Sequence, residues 1–199
     1  MDFELTQEQK LLRKTAREFA RSELLPGAIK RDEEKEWPQE AIDKMGKLGF
    51  MGMMTSPKWD GGGMDTISYS IAIEEISRAD ASAGVIMSVN NSLVCYLLEK
   101  YASDMLKEKY LKPLALGSKL GAFSLSEPQS GSDAAALRTI AVENSNGSYT
   151  INGRKAWVSL AGVADVYLVV VKTSINPGYK DIAVIAIPTE TPGVRFGKP

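Results

Sequence analysis

The 199-residue sequence contains no histidine and a single cysteine, Cys95. Without imidazole, Ser-His-Asp and Cys-His catalysis are excluded, and a catalytic zinc site loses its commonest ligand. One cysteine leaves no internal disulfide, which fits a reducing compartment, cytoplasmic or mitochondrial matrix. No apolar run of about 18 residues occurs, so no segment reads as membrane-spanning. Excess charge is missing too. The 24 Lys and Arg against 25 Asp and Glu give a formal net charge of −1, which offers no electrostatic footprint for nucleic acid. The N-terminal MDFELTQEQK is acidic and polar, unlike an export or transit signal. No repeat or low-complexity segment occurs.

What is present divides into two halves of different period. At 44% apolar, the chain can bury one good core or two modest ones. The first half is helical. Thr6 with Gln9 makes a capping box, after which Leu12, Ala16, Phe19 and Ala20 recur at helical spacing until Pro26 ends the run. Pro38 suits the first position of a second helix, with Ala41, Ile42, Met45 and Leu48 on one face and Gly49 as its stop. SPKWDGGGMD is a loop. Asp65 caps TISYSIAIEEISRA, which is apolar nearly all round and so predicts a buried helix. Ser82 is expected to cap the next helix. Its polar interruptions, Ser88, Asn90, Asn91 and Ser92, either bond backbone and water or line a ligand pocket. Ser103 caps a last helix closed by Gly117.

Beyond Gly117 the period becomes two. KLGAFSL, RTIAVE, RKAWVSL, DVYLVVVK, DIAVIAIP and GVRF read as strands. Asn146-Gly147 and Asn152-Gly153 read as hairpin turns. The expected architecture is therefore multidomain α and β: an all-α N-terminal domain, residues 1–117, then an antiparallel, barrel-like domain, residues 118–199. The β part has few strands and no closing one, so it is expected to be an incomplete barrel.

The stretch GAFSLSEPQSGSDAAAL, 121–137, is the least ordinary. Its serines have no histidine to activate them and form no Ser-x-x-Lys, so a nucleophile is excluded. Glu127 and Asp133 could form a carboxylate pair, but acidic residues in turns more often bond loop amides. Pro128 and Gly131 force a loop that presents backbone N–H groups and small hydroxyls to a planar cofactor or a phosphate. By spacing alone this is a weak signal. It matches neither the Walker pattern nor G-x-G-x-x-G.

Taken with its surroundings, the stretch resembles the acyl-CoA dehydrogenase flavoproteins. FSLSEPQSGSDAAAL is similar to the family's aromatic-x-x-Ser/Thr-Glu-Pro-x-x-Gly-Ser-Asp flavin loop. GRKAWVSLAG resembles its second flavin segment, and GGGMDTISYSIAIEEISRADAS with SVNNSL fits its helical domain. SVNNSL and SLSEP are most like the short-chain, butyryl-type members. The resemblance implies FAD-dependent α,β-desaturation of an acyl-CoA, with electrons passed to an electron-transferring flavoprotein by an enzyme that is usually a tetramer. It implies that Leu125 and Ser126 bond the flavin ring, with Phe123 lining the approach. Gly131 and Ser132 lie by the ribityl-phosphate portion, Ser132 also by the CoA chain. Trp157 packs near the ring, and Val158 and Ser159 present an amide and hydroxyl near N5. Ser88 and Asn91 lie on the helix that lines the acyl pocket. The family's general base is a glutamate in a C-terminal four-helix domain, so no residue among these 199 is expected to be that base. Leu160 stands where asparagine is common, which removes a side-chain hydrogen bond there. Two other readings remain open: a non-catalytic flavin- or acyl-CoA-binding subunit, and a different flavin oxidase on the same fold.

Overall fold

The computed structural model describes residues 4–174 and 180–197. The chain divides into two units, Met1–Lys119 and Leu120–Pro199. The first is helical, the second built on a sheet.

Helix α1, Gln7–Phe19, starts at the Thr6–Gln9 capping box. The chain continues through a π-helical turn, Ala20–Leu24, and a 3-10 turn, Leu25–Gly27, which holds Pro26. A helix not anticipated from sequence follows, α2, Ala28–Glu34. Its one large apolar side chain, Ile29, is 77% exposed, so no apolar period marks it. Helix α3, Gln39–Lys47, buries Ala41, Ile42 and Met45, with Pro38 as its N-cap rather than its first residue. Helix α4, Thr66–Ala79, begins where Asp65 accepts from the Ser68 amide at 2.7 Å. It is amphipathic rather than buried all round: Ile71, Ala72 and Ile76 face the core while Ile67 is exposed. Its buried Glu75 binds Arg17 of α1 through two hydrogen bonds of 2.6 and 2.9 Å. That contact satisfies a carboxylate that burial would otherwise penalise.

Helix α5, Ala81–Tyr101, is continuous, with a π-helical stretch at Val89–Cys95. Asp80, not Ser82, is its cap, because Asp80 has extended backbone and its carboxylate accepts from Ala83 N at 2.9 Å. Among the described residues, α5 is long and apolar enough by length and composition to cross a membrane. Its buried asparagines show a core role instead. Asn90 donates to Met51 O and Leu114 O, while Asn91 donates to Phe50 O and Met87 O and accepts from Met53 N, all at 2.8–3.0 Å. These bonds satisfy two loop carbonyls, two helix carbonyls and a loop amide that the core takes from water. A last helical stretch, α6, residues 104–115, starts at Ser103 and ends at Gly117, whose φ is +70°.

Among its described residues the second unit holds five strands: β1 Gly121–Ser124, β2 Ile140–Glu143, β3 Tyr149–Asn152, β4 Val166–Lys172 and β5 Ile182–Pro188. The sheet is mixed rather than antiparallel. β4 is its spine: β1 and the start of β2 run parallel to it, Gly121 opposite Val166 and Ile140 opposite Lys172, and β5 pairs antiparallel along its whole length. Asn146-Gly147 does turn the β2–β3 hairpin. Asn152-Gly153 does not turn a hairpin, since the chain leaves β3 there as irregular backbone, and 154–160 and 193–196 are loops rather than strands. The sheet core gathers Ala122, Ala141, Ala164, Tyr167, Val169 and Val171, with Val158 and Leu160 packed against it.

Candidate functional site

The unusual stretch leaves the end of β1 and folds on itself at once. Glu127 and Ser130 exchange backbone hydrogen bonds of 2.8 and 3.1 Å, with Pro128 and Gln129 at the corner. The Ser130 hydroxyl then donates to Asp133 O at 2.7 Å, and a single 3-10 turn, Ala134–Ala136, returns the chain toward β2.

Glu127 is the centre of this loop. Its side chain is 2% exposed. Its carboxylate accepts from the amides of Arg138 and Thr139 (2.6 and 2.9 Å), the Thr139 hydroxyl (2.5 Å), Gln129 Nε2 (2.7 Å) and Lys155 Nζ (2.8 Å). Burial alone would push this carboxyl up. The Lys155 ammonium, the Thr139 hydroxyl and the two amides outweigh it and hold it at about 2. Such a group is ionised at neutral pH, fully hydrogen-bonded and a poor proton acceptor. Asp133 is exposed and shares none of the Glu127 donors, and Glu127 in this setting is unsuited to act as an acid or a base. The loop-amide reading of Glu127 is the one the structure supports.

Lys155 brings in the second segment. Its ammonium also donates to Leu125 O at 2.9 Å, and the next residue, Ala156, donates its N–H to Ser126 O at 2.9 Å. The backbone then departs from any strand. Trp157 has φ +57° and Leu160 φ +66°, a region that non-glycine residues enter at a cost. Trp157 is 95% exposed, so it packs into no core and the strand expected at RKAWVSL does not form. The Tyr167 hydroxyl accepts from Gly162 N at 2.8 Å and donates to Leu160 O at 3.2 Å, which anchors the far end.

The structure thus brings Leu125 and Ser126 alongside the start of the 156–160 segment. Phe123, Leu125 and Ser126 are half-buried, Val158 is half-buried against the sheet core, and Gly131, Ser132 and Ser159 are exposed. Among the described residues, the hydroxyls of Ser126, Ser132 and Ser159 have no hydrogen-bond partner. A Cβ built on Gly131 would meet nothing within 4 Å, and its φ is not positive. The fold of this chain therefore gives no reason for glycine at 131, whereas close approach of a bound group would. In the helical unit, Ser88 is half-buried with its hydroxyl 3.3 Å from that of Ser92. Asn91 is buried with its amide occupied as described above, which leaves it little capacity to contact a ligand.

Sequence reasoning gave no role to Lys155, Thr139 or Tyr167 and read Gly153 as a hairpin turn. The signal for Lys155 was its place in GRKAWVSLAG, the stretch that resembles the second flavin segment. A Cβ on Gly153 would lie 2.2 Å from Thr139 Oγ1, a contact visible only in three dimensions.

Comparison with known proteins places the molecule. Residues 6–118 match the model of the acyl-CoA dehydrogenase N-terminal domain, and residues 122–199 that of the middle domain. The chain belongs to the acyl-CoA dehydrogenase family. The short-chain-specific acyl-CoA dehydrogenase of Clostridium acetobutylicum is 41% identical over 198 residues, which cover 100% of this chain and 52% of that protein. A chain in a structure described as the electron-transferring flavoprotein of Acidaminococcus fermentans superposes with a TM-score of 0.95 at 38% identity, covering 100% of this chain and 52% of that one. Glutaryl-CoA dehydrogenase of Mycobacterium smegmatis, in complex with FADH2, gives 0.88 at 31% identity over 95% of this chain and 47% of that one. The chain spans about half the length of the relatives it matches.

Proposed function

We propose that this chain supplies the flavin-holding loops and part of the acyl pocket of a dehydrogenase that desaturates short-chain acyl-CoA thioesters. The observation that carries the reading is the pairing of segments 125–132 and 155–159, which leaves unpartnered serine hydroxyls and an unhindered Gly131. Bound FAD would accept the hydride from the acyl β-carbon. Leu125 and Ser126 offer backbone and hydroxyl hydrogen bonds to the ring edge, and Phe123 lines the approach. Gly131 and Ser132 accommodate the ribityl-phosphate portion, Ser132 also the CoA chain. Trp157 covers the ring, and the Val158 amide and Ser159 hydroxyl stand near N5, where a donor stabilises the charge that develops on reduction. Ser88 contacts the acyl chain. Asn91 instead holds α5 in place.

The division into a helical part, 1–117, and a sheet part, 118–199, separates acyl contact from flavin contact. Electron-transferring flavoprotein as the acceptor, a tetrameric assembly, and a site of action in the cytoplasm or mitochondrial matrix belong to the same proposal. No residue here is assigned as the general base: the family resemblance puts that glutamate in a C-terminal helical domain, and the buried Glu127 is tied to its five donors. That favours a second reading for these 199 residues by themselves, a flavin- and acyl-CoA-binding module without turnover.

The test is FAD titration of the 199-residue chain by quenching of flavin fluorescence, followed by a butyryl-CoA assay with an artificial electron acceptor. Weak, saturable binding is expected, since the family resemblance implies that other parts of the enzyme also grip FAD. Gly131→Val should weaken it more than about tenfold with the melting temperature unchanged, since the new side chain meets open space in the free chain. Absence of binding in wild type, or wild-type affinity in Gly131→Val, would overturn the flavin reading. Turnover by the chain alone would overturn the assignment of no base.

A further inference from the structure

Among the described residues, three hydrogen bonds join the two segments assigned to the flavin, and one side chain makes two of them. Lys155 Nζ lies 2.9 Å from Leu125 O and 2.8 Å from Glu127 Oε1. Leu125 belongs to the first segment's ring-binding pair. Glu127 anchors the rest of that segment, since the same carboxylate holds the amides of Arg138 and Thr139 at the loop's far end. Lys155 itself precedes Trp157, Val158 and Ser159 by two to four residues, with Ala156 N bonded to Ser126 O between them. Its side chain is 10% exposed, so its rotamer is fixed by packing and by two acceptors rather than by solvent.

We propose that Lys155 is a positioning residue of the flavin site: its ammonium, held between Leu125 O and the Glu127 carboxylate, sets the separation and register of the two segments that receive the isoalloxazine ring. This rests on the flavin reading above. The chemistry suits the role. A Lys ammonium has three donors in a compact tetrahedral head, so one head can serve a carbonyl and a carboxylate on opposite sides of a gap. The partner carboxylate is buried and has four further donors, so it cannot swing away. Charge-assisted bonds at 2.8–2.9 Å in a low-dielectric setting are stiff as well as strong. A ring that must meet donors from both segments at hydrogen-bond distance tolerates displacement of either by only a fraction of an ångström.

A purely structural role and a positioning role differ in where the damage falls. The experiment compares wild-type 199-residue chain with Lys155→Met and Lys155→Gln by amide hydrogen exchange, with FAD titrated in parallel. Lys155→Met is expected to speed exchange in 125–133 and 156–160 by more than about tenfold, the ratio that loss of a hydrogen bond to a charged group supports. Amides of β4 and of the helical unit should keep their protection. FAD affinity should fall by a comparable factor. If the buried Glu127 charge left by Lys155→Met opens β4 as well, Lys155→Gln decides. Its amide, one bond shorter, is expected to satisfy Glu127 but not to bridge to Leu125 O, so 125–133 should loosen with β4 intact. A folded variant in which both segments keep wild-type exchange would overturn the proposal. So would one whose segments loosen while FAD binds as in wild type. If wild type binds no FAD at all, the flavin reading fails, while the exchange data still decide whether Lys155 registers the two segments.

Discussion

Replacing Glu127 with glutamine tests the loop's central interaction directly. The substitution keeps shape and removes one charge. It also puts an NH₂ group among groups that all donate: the amides of Arg138 and Thr139, the Thr139 hydroxyl, Gln129 and Lys155. The Lys155 ammonium would retain Leu125 O and lose its counter-charge while its side chain stays 10% exposed. Breaking a buried pair from one side costs about 3–5 kcal/mol. A second route gives a similar figure. A carboxyl held at about 2 against an ordinary 4.5 carries roughly 3 kcal/mol of stability at 1.36 kcal/mol per pKa unit. Because the folded-state pKa is depressed, this stability is fully present above about pH 4.5 and is lost as the pH falls through about 2. Urea unfolding followed by circular dichroism, with hydrogen exchange in β4 to report the sheet unit, should therefore show a wild-type advantage of about 3–5 kcal/mol at pH 7. That advantage should shrink steadily below pH 4.5. A gap under about 0.5 kcal/mol at neutral pH would refute the reasoning, as would a gap that stays constant down to pH 2.

Gly153→Ala would place a Cβ 2.2 Å from Thr139 Oγ1, overpacking the support of Glu127. A loss of about 1–3 kcal/mol is expected, read as a fall of several degrees in the melting temperature; an unchanged melt would show that Thr139 can move aside. Trp157→Gly should release about 1–2 kcal/mol of left-handed backbone strain, partly offset by the greater freedom of glycine in the unfolded chain. With the side chain 95% exposed, little burial is lost, so stability should be unchanged or slightly raised while FAD affinity falls. A destabilisation above about 2 kcal/mol would mean that the indole is packed after all.

The parts legible in the sequence were those fixed by near neighbours. Thr6 with Gln9, Asp65, Ser103 and Gly117 each end a helix through contacts within a few residues, and each was read correctly. Asp80 was passed over for Ser82 because it serves two elements at once, closing α4 and opening α5. Helix α2 carries no apolar period to detect. The parallel pairing of β1 with β4 joins Gly121 to Val166, and nothing in either strand's alternation names its partner. The same limit applies to the site. The serine-rich loop and the Trp157 segment could each be picked out, but their coupling through Glu127 and Lys155 spans 28 positions and depends on the sheet that places them side by side.

The failure of the strand reading at 154–160 has a more particular cause. RKAWVSL alternates well enough for a strand, and Val158 and Leu160 do face the sheet core. What prevents a strand is the clamping of both ends. Upstream, Lys155 and Ala156 are tied to the Leu125–Glu127 loop. Downstream, the Tyr167 hydroxyl grips Leu160 O and Gly162 N. Between the clamps the backbone is driven to positive φ at Trp157 and Leu160, and Trp157 and Ser159 are left facing outward. A large aromatic with strained backbone and no burial is costly to the chain taken alone, and such strain persists only where the surroundings over-determine it. Local sequence rules break at functional sites because something other than local stability has selected the residues there. Here the break coincides with the segment that the family resemblance assigned to the flavin, although nothing in the strand pattern pointed to it.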